Sequence, residues 1–291
     1  MVRKNQFHLG LLAILILTNY FVWVAVGEAA AHSLRVYFLN VGQGDAILLR
    51  TPTGEDILID GGPDDSVLAE LGKILPVWDT TLDLVVATHT DADHITGLVS
   101  VLKRYQIKEV LTPPPGRSTS ISAAWQQAIM QGPIINYVDA ADDYQWGDVS
   151  WDTLLPLSSI DIVSTDTNNT SIVAKLTYES NSLLLTGDME APAESLFMQI
   201  YPALSAEILK VAHHGSKNSS NTLWLQMINP EIAVISVGKN SYGHPSPDTL
   251  GRLQAVGADI YRTDQNGTIE MIFTDNGYSV KANGQKKFYQ N

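Results

Sequence analysis

The sequence lacks cysteine altogether and is poor in basic residues. Its 291 residues include 18 lysines and arginines against 31 aspartates and glutamates, which gives a formal net charge of −13. Without cysteine the chain has no disulfides and no thiolate metal ligands, which is compatible with an oxidising compartment. The acidity disfavours tight non-specific binding of long duplex DNA, because such binding relies on a basic face. A divalent ion can still bridge a phosphate to an acidic site, so this composition remains consistent with a nuclease.

The motifs of several common enzyme classes are also missing. The chain has no phosphate-binding P-loop motif and no GxGxxG turn after a strand. Gly42-Gln43-Gly44 is too short for a dinucleotide loop, and we expect a tight turn there. Ser216 does not lie in a Gly-x-Ser-x-Gly elbow, so the sequence shows no serine nucleophile. These absences point away from nucleotide-cofactor enzymes and serine hydrolases.

Two histidines and two aspartates fall within one hexapeptide, His89-Thr90-Asp91-Ala92-Asp93-His94. It directly follows an apolar run, Leu84-Val85-Val86-Ala87, that predicts a buried strand. Imidazole nitrogens and carboxylate oxygens bind divalent metal ions, and a loop at the end of a strand holds them on a rigid support. A polar turn with two histidines is the simpler interpretation, but four ligand-type side chains in six residues favour a metal site.

The hexapeptide resembles the HxHxDH motif of the metallo-β-lactamase superfamily, with Asp91 in place of the middle histidine. Over about residues 34 to 275, five further segments make the chain similar to the C-terminal domain of ComEC-type competence proteins. These segments are Asn40–Ala46 (NVGQGDA), Ile57–Gly62 (ILIDGG), Leu183–Asp188 (LLLTGD), Leu209–Ser216 (LKVAHHGS) and Tyr242–Pro245 (YGHP). The resemblance implies an α/β fold, the αββα four-layer sandwich, with metal ligands on loops at one edge.

The chain departs from the family pattern at three places. Asn40 stands where the relatives usually have aspartate, and Ile95-Thr96-Gly97 stands where they usually have a residue followed by two glycines. The histidine of the superfamily's third motif is absent, and the stretch Asn168-Asn169-Thr170-Ser171 takes its place. The first metal position is therefore expected to have fewer nitrogen ligands than usual.

The resemblance implies one or two divalent metal ions, either Zn²⁺ or Mn²⁺, because Asp91 adds a hard oxygen donor to a site that contains imidazoles. The positions that match family ligands are His89 and Asp91 for the first ion, Asp93 and His94 for the second, Asp188 as the bridge, and His244 in the last motif. The His213-His214 pair is expected to supply one ligand and one proton donor or substrate contact, and the predicted ligand set includes His213. The predicted catalytic residues are Asp93, Asn169, His213 and His214.

Four polar residues near these motifs have more specific expectations. Asp60 follows a strand and precedes two glycines, so we expect it to orient a metal-bound histidine, with a turn-forming aspartate as the alternative. Asp45 is expected to play a similar supporting role or to contact the metals through water. Asn169 either orients substrate, supplies the missing ligand through its amide oxygen, or forms an Asx turn. Lys210 lies inside a predicted strand and is expected to be structural.

Residues 1–31 are expected to be a signal peptide or a membrane anchor, followed by a hydrolase domain over residues 32–291. Two basic residues precede an apolar run from Leu9 to Val26, which is close to the roughly 17–25 residues of a spanning helix. Ala29-Ala30-Ala31 matches an A-x-A-like cleavage site. Positive charge before the run predicts that the rest of the chain is secreted or anchored on the outer face of the cytoplasmic membrane.

Hydrophobic periodicity predicts strands and helices in both halves of the chain. Strands are expected at residues 34–41, 46–51, 56–60, 134–138, 149–155, 171–178, 182–185, 207–211, 232–237, 259–261 and 268–273. Helices are expected at residues 66–75, 93–105, 122–130, 191–200, 220–228 and 247–255. Strands followed by helices, twice over, suit two packed sheets with helices outside.

Three functions are consistent with these features. The first is an extracytoplasmic phosphodiesterase or nuclease that acts on DNA, or on a small phosphodiester, through a metal-activated water. The alternative is a hydrolase of a small ester, such as a phosphocholine ester or a lactone, which the acidic charge favours slightly. The third is a non-catalytic metal-binding module of the cell surface. The sequence indicates membrane contact only through the N-terminal segment, and it indicates no protein partner.

Overall fold

The computed structural model describes residues 8, 14–20, 33–116, 118–138, 142–156 and 167–290. Residues 14–20 are helical, and the rest of the expected signal peptide or anchor lies almost entirely outside the described residues. The expected boundary between residues 31 and 32 lies outside them as well. Within the described ranges, the structure contains no helix with both the length and the apolar character needed to span a membrane.

The strands, numbered in chain order, form two mixed sheets. The first sheet contains β1 (Leu34–Phe38), β2 (Ile47–Arg50), β3 (Asp56–Ile59), β4 (Thr81–Val86), β5 (Gln106–Thr112), β6 (Ile134–Tyr137), β14 (Ile269–Thr274), β15 (Gly277–Ala282) and β16 (Gln285–Tyr289). Their spatial order is β16-β15-β14-β1-β2-β3-β4-β5-β6. The second sheet contains β7 (Tyr144–Trp146), β8 (Val149–Leu155), β9 (Val173–Tyr178), β10 (Asn181–Leu185), β11 (Ile208–Lys210), β12 (Ile232–Ile235) and β13 (Asp259–Arg262). Their order is β13-β12-β11-β10-β9-β8-β7.

Each sheet carries helices on its outer face. The first sheet packs against α1 (Ser66–Ile74), α2 (Ala92–Arg104) and α3 (Ser120–Ile129). The second packs against α4 (Ala191–Ile200), α5 (Thr222–Ile228) and α6 (Pro247–Ala255). A short helix, α7 (Thr263–Asn266), and two 3₁₀ turns, Asn168–Thr170 and Ala212–Gly215, complete the described elements.

The main apolar core lies between the two sheets. Alternate residues along each strand point to opposite faces of a sheet. In β1, Val36 and Phe38 face the core between the sheets, whereas Tyr37 contributes to the layer under α1–α3. In β10, Leu183 and Leu185 likewise face the other sheet. This arrangement of helix, sheet, sheet and helix confirms the predicted αββα sandwich.

Most predicted elements are present within a few residues of their expected bounds. The strand at 149–155 and the helices at 191–200 and 247–255 match residue for residue. The sequence did not predict β5, β7, β15, β16 or α7. β5 begins only two residues after α2 ends, β7 has only three residues, and β16 is largely polar, so these three lack a distinct apolar pattern. β15 does alternate, with Tyr278, Val280 and Ala282 in the core, but it was not predicted from the sequence.

The loops that carry the predicted ligands lie at the carboxyl ends of parallel strands. β3 and β4 are parallel in the first sheet, and β10, β11 and β12 are parallel in the second. The two sets of loops meet across the sandwich, since the amide of Ile172 donates to the carbonyl of Thr88 over 2.9 Å. Binding sites in sheets of this kind lie beyond the carboxyl ends of the strands. The fold therefore brings both groups of motifs to one edge.

A close backbone contact joins α2 to the loop after β3. The amide of Gly61 donates to the carbonyl of His94 over 2.7 Å, and the amide of Gly97 donates to the carbonyl of Gly62 over 3.0 Å. A Cβ atom on Gly97 would lie 1.9 Å from the carbonyl oxygen of Gly61. Only glycine fits at position 97, and this contact fixes the position of His94 relative to the loop.

We expect Gly97→Ala to lower the free energy of unfolding by about 1–3 kcal/mol, because the new methyl group forces α2 away from the loop. Gly72 in α1 is the matched control, since a Cβ atom there would meet nothing within 4 Å. Gly72→Ala should be neutral or stabilising by up to about 1 kcal/mol, as expected for alanine in a helix. Urea unfolding of both variants measures their free energies of unfolding. Equal values for the two variants would contradict the claim that the contact between Gly97 and Gly61 stabilises the fold.

Candidate metal centre

Histidines and aspartates from both sheets converge at the shared edge. Four groups of three side chains each have their ligand atoms within 4.8 Å of one another. These groups are His89–His94–Asp188, Asp93–His94–His214, Asp45–Asp60–His94 and Asp45–Asp188–His214. The structure thus brings together seven of the sequence-predicted site residues, while Asp91, Asn169, His213 and His244 belong to none of these groups in the described part of the chain.

His94, in the first turn of α2, is held by Asp60. Its Nδ1 lies 2.8 Å from Asp60 Oδ2, while its Nε2 lies 3.3 Å from Asp188 Oδ2. Asp60 has a left-handed backbone, with φ of 57°, and its carboxylate accepts from the amide and the hydroxyl of Thr88 over 2.8 and 2.7 Å. Because the Asp60 carboxylate accepts a hydrogen bond from Nδ1, the ring is held with Nε2 facing Asp188. This geometry supports the interpretation of Asp60 as an orienting residue.

His214 reaches the same point from the second sheet. Its Nδ1 donates to the carbonyl of Ser236 over 2.8 Å, and its Nε2 lies 3.3 Å from Asp93 Oδ2 and 3.5 Å from Asp188 Oδ2. His213 and His214 both have left-handed backbones, with φ of 48° and 53°, so the hydrogen bond to Ser236 rather than the torsion distinguishes His214. His214 is therefore the member of the His213-His214 pair that the structure groups with Asp93 and Asp188.

His89 lies beside these ligands but has no carboxylate oxygen closer than 4.0 Å among the described residues. Its ring centroid is 4.0 Å from that of His94, and its Nδ1 lies 3.1 Å from the Thr88 hydroxyl. Its Nε2 is 4.0 Å from Asp91 Oδ2. The Asp91 side chain is 43% exposed, and its Oδ1 accepts from the Thr167 hydroxyl over 2.7 Å. Both histidines expected to bind the two ions are buried, and the two aspartates are partly exposed, Asp91 at 43% and Asp93 at 36%.

His213 and His244 lie at the more open side of the centre. His213 Nδ1 is 2.8 Å from Glu190 Oε1, and its Nε2 is 3.9 Å from Asp188 Oδ2. The His244 ring centroid is 5.3 Å from that of His213. Burial and the neighbouring His213 and His214 lower the pKa of His244. The arrangement places His213 where it can exchange a proton with a group bound at the centre.

The amide of Asn169 contacts the start of a helix. Its Oδ1 accepts from the amides of Glu190 and Ala193, over 3.2 and 3.3 Å, and so caps α4. This contact was not among the roles expected for Asn169, and a catalytic role for it stays a prediction. Through this cap Asn169 positions the loop that bears Asp188 and Glu190.

The donor atoms fit a divalent cation. The Nε2 atoms of His89, His94 and His214 are buried and have no hydrogen-bond partner among the described residues. Buried polar atoms normally have partners, so three orphaned nitrogens beside Asp188 indicate that a ligand belongs there. Mixed imidazole and carboxylate donors suit Zn²⁺ and also Mn²⁺.

Comparison with known proteins agrees with this geometry. The family description of the metallo-beta-lactamase superfamily matches residues 39–239. The chain belongs to this superfamily. ComE operon protein 3 of Bacillus subtilis is 34% identical over 254 residues, covering 81% of this chain and 32% of that protein. Competence protein ComA of Neisseria gonorrhoeae is 30% identical over 256 residues, covering 86% of this chain and 34% of that protein. The chain spans about a third of the length of these relatives.

The superfamily's fold is also seen in a solved structure. The metallo-beta-lactamase fold protein YhfI of Bacillus subtilis aligns with a TM-score of 0.55 at 12% identity, covering 82% of this chain and 99% of that protein. These findings confirm the predicted superfamily, its fold and the resemblance to ComEC-type proteins. Superfamily members bind one or two metal ions, in agreement with the histidine and aspartate groups found here.

Several residues that hold the ligands were not predicted from the sequence. Thr88 contacts Asp60, which in turn holds His94. Glu190 contacts His213, and Ser236 contacts His214. Thr88 and Glu190 lie one and two residues from predicted ligands, a proximity that offered a weak signal. Ser236 acts through its backbone carbonyl, which no side-chain pattern reveals.

The centre is strongly polarised in the absence of metal. Burial lowers the pKa of His214, but the carboxylates of Asp188 and Asp45 more than offset this effect and raise it to about 10. Burial also opposes charge on His94, yet Asp188 and Asp60 raise its pKa well above the ordinary value. For Asp188, burial raises the pKa, but His214 and His94 lower it well below the ordinary value. Protons on the two histidines therefore compensate the buried carboxylates.

We expect the stability of the metal-free protein to fall as the pH rises from about 6.5 to about 10. A histidine with a raised folded-state pKa contributes its full stability below the unfolded value and loses it as the pH passes the folded value. Thermal denaturation with a chelator across this range measures the effect. His214→Gln should flatten the dependence, and an unchanged pH profile in this variant would contradict the assignment.

Proposed function

We propose that this chain is a metal-dependent phosphodiesterase that acts on DNA outside the cytoplasm. In this proposal residues 1–31 direct export or anchor the chain, and residues 32–291 form the hydrolase domain. The observation that carries the proposal is the grouping of three buried, unpartnered Nε2 atoms around Asp188. Those of His94 and His214 lie within 3.5 Å of it, His89 belongs to a group with Asp188 whose ligand atoms lie within 4.8 Å of one another, and His213 lies beside them. The name of one relative, competence protein ComA, supports DNA as the substrate class.

The proposed ligands form two groups, one for each ion. Asp93, His94, His214 and Asp188 would hold one ion, and His89, Asp91 and Asp188 would hold a second. When bound, such ions polarise a phosphoryl oxygen and lower the pKa of a water molecule enough to make it a nucleophile near neutral pH. Asp60 and the carbonyl of Ser236 keep the histidine rings turned towards this position.

His213 would donate the proton that the leaving group needs. Its Nδ1 contacts Glu190, so the ring is held with Nε2 facing the centre, and its side chain is 23% exposed. A general acid must be oriented and must reach the substrate, and both conditions are met here. Glu190 would act as a positioning residue for His213.

The acidic charge affects how DNA would bind. With 31 acidic and 18 basic residues, the protein has little positive charge to neutralise many phosphates. The metal centre would then hold the scissile phosphate, and affinity for long duplexes would be modest. The same charge favours the second candidate function, hydrolysis of a small ester such as a phosphocholine ester or a lactone.

A metal reconstitution experiment tests the proposal. Protein stripped of metal and refilled with Mn²⁺ or Zn²⁺ should cleave DNA and bis(p-nitrophenyl) phosphate, because the reaction needs the bound ion. An Asp93→Ala, His94→Ala double variant should lose both activities. Cleavage of the small diester without DNA cleavage would favour a small-molecule phosphodiesterase. Inactivity towards both substrates with metal bound would overturn the proposal and direct the search to carboxylic esters.

The two adjacent histidines should differ sharply. We expect His214→Ala to lower metal content, whereas His213→Ala should keep the metal and slow DNA cleavage by about 100-fold or more, the usual contribution of a general acid. Hydrolysis of bis(p-nitrophenyl) phosphate should be much less affected in His213→Ala, because p-nitrophenolate leaves without a proton. Metal analysis and steady-state rates measure both effects. Equal losses on the two substrates would contradict the role of His213.

A further inference from the structure

Lys210 is a fully buried lysine within the metal centre. It is the last residue of β11 and precedes the turn that carries His213 and His214. Its ammonium forms an ion pair with Asp45 Oδ2, donates to the carbonyl of Gly187 over 3.2 Å, and lies 3.9 Å from Asp188 Oδ1. A lysine is almost never fully buried unless it is paired, so the charge of Lys210 depends on these neighbouring groups.

The ammonium lies against a set of side chains that has the composition of a metal site. Asp45, Asp188 and His214 have ligand atoms within 4.8 Å of one another, and Lys210 contacts both carboxylates. We infer that the ammonium of Lys210 is a built-in cation of the centre. It occupies the position among Asp45, Asp188 and His214 that a divalent ion would otherwise take. The inference rests on the metal centre of the proposed function but not on the reaction that it catalyses.

The contacts of Asp188 show what this cation does. Asp188 Oδ2 faces His94 and His214, whereas Oδ1 faces Lys210. Asp45 lies beneath His214, with its Oδ1 3.4 Å from the ring Nδ1. The ammonium therefore holds both carboxylates while leaving Oδ2 of Asp188 directed at the metal position. Lys210 acts as a positioning residue that preforms the centre before an ion binds.

This role predicts that Lys210 and a metal ion partly substitute for each other. Removing one partner of a buried ion pair leaves the other charge uncompensated, which is strongly destabilising. A divalent ion that binds nearby supplies positive charge and relieves the same carboxylates. Loss of Lys210 should therefore be felt most in the metal-free protein and least in the metal-loaded protein.

The test compares thermal denaturation of the full chain in EDTA and in Mn²⁺. We expect Lys210→Met to lower Tm in EDTA by roughly 10 °C, and Mn²⁺ should raise the Tm of this variant more than that of wild type. Asp45→Asn, Lys210→Met removes both charges and should recover much of the loss in EDTA. Lys281→Met is the matched control, because that lysine pairs with Glu270 at the surface, and its Tm should be unchanged.

The outcomes separate the role of Lys210 from simple packing and from the proposed function. An Lys210→Met variant that folds only with Mn²⁺ also supports the inference. Equal losses with and without Mn²⁺, or failure to fold in both, would overturn it, as would a wild-type Tm in EDTA. If Mn²⁺ leaves the Tm of wild type unchanged, the metal centre of the proposed function fails instead.

Discussion

The burial of several carboxylates between the edges of two sheets is the constraint on which the rest of this structure depends. Asp45, Asp60 and Asp188 have at most 2% of their surface exposed. Buried carboxylates require hydrogen-bond donors and positive charge in contact with them. Thr88 and His94 form hydrogen bonds with Asp60, while Lys210 forms an ion pair with Asp45 and lies 3.9 Å from Asp188. Together with His94 and His214, these carboxylates form groups of ligand atoms that suit a cation.

The backbone around the centre is built to keep these groups in place. Asp60 and His214 adopt left-handed conformations, which turn their side chains inward at the ends of strands. Such conformations are uncommon for residues other than glycine and cluster at functional sites. The contact between Gly61 and Gly97 then sets the distance between Asp60 and His94. Rigid strand ends, rather than long loops, thus define the ligand positions.

The two expected ion positions are unequal in this chain. The Nε2 atoms of His94 and His214 lie 3.3 and 3.5 Å from Asp188 Oδ2, and Asp93 contacts His214 over 3.3 Å. The nearest carboxylate to His89 is Asp91, which lies 4.0 Å away. The superfamily's third-motif histidine is missing, and Asn169 uses its amide oxygen to cap α4. Affinity for a second ion would therefore depend strongly on what the substrate itself contributes. A phosphate group offers suitable oxygens for this purpose.

Motifs that resemble those of the superfamily were enough to predict the sandwich and the edge where the site lies. They also predicted a site that contains His89, Asp93, His94 and Asp188, because each motif lies within a single loop next to a periodic strand. Only the tertiary structure shows which of His213 and His214 faces the centre. Both have left-handed backbones, but His214 Nδ1 donates to the carbonyl of Ser236, which follows β12, whereas His213 Nδ1 contacts Glu190. The tertiary structure also decided that Lys210, expected only to be structural, contacts Asp45 from a distant part of the chain. Contacts between residues far apart in the chain leave no periodic trace in the sequence, and they set the orientation of His214 and the pairing of Asp45 with Lys210.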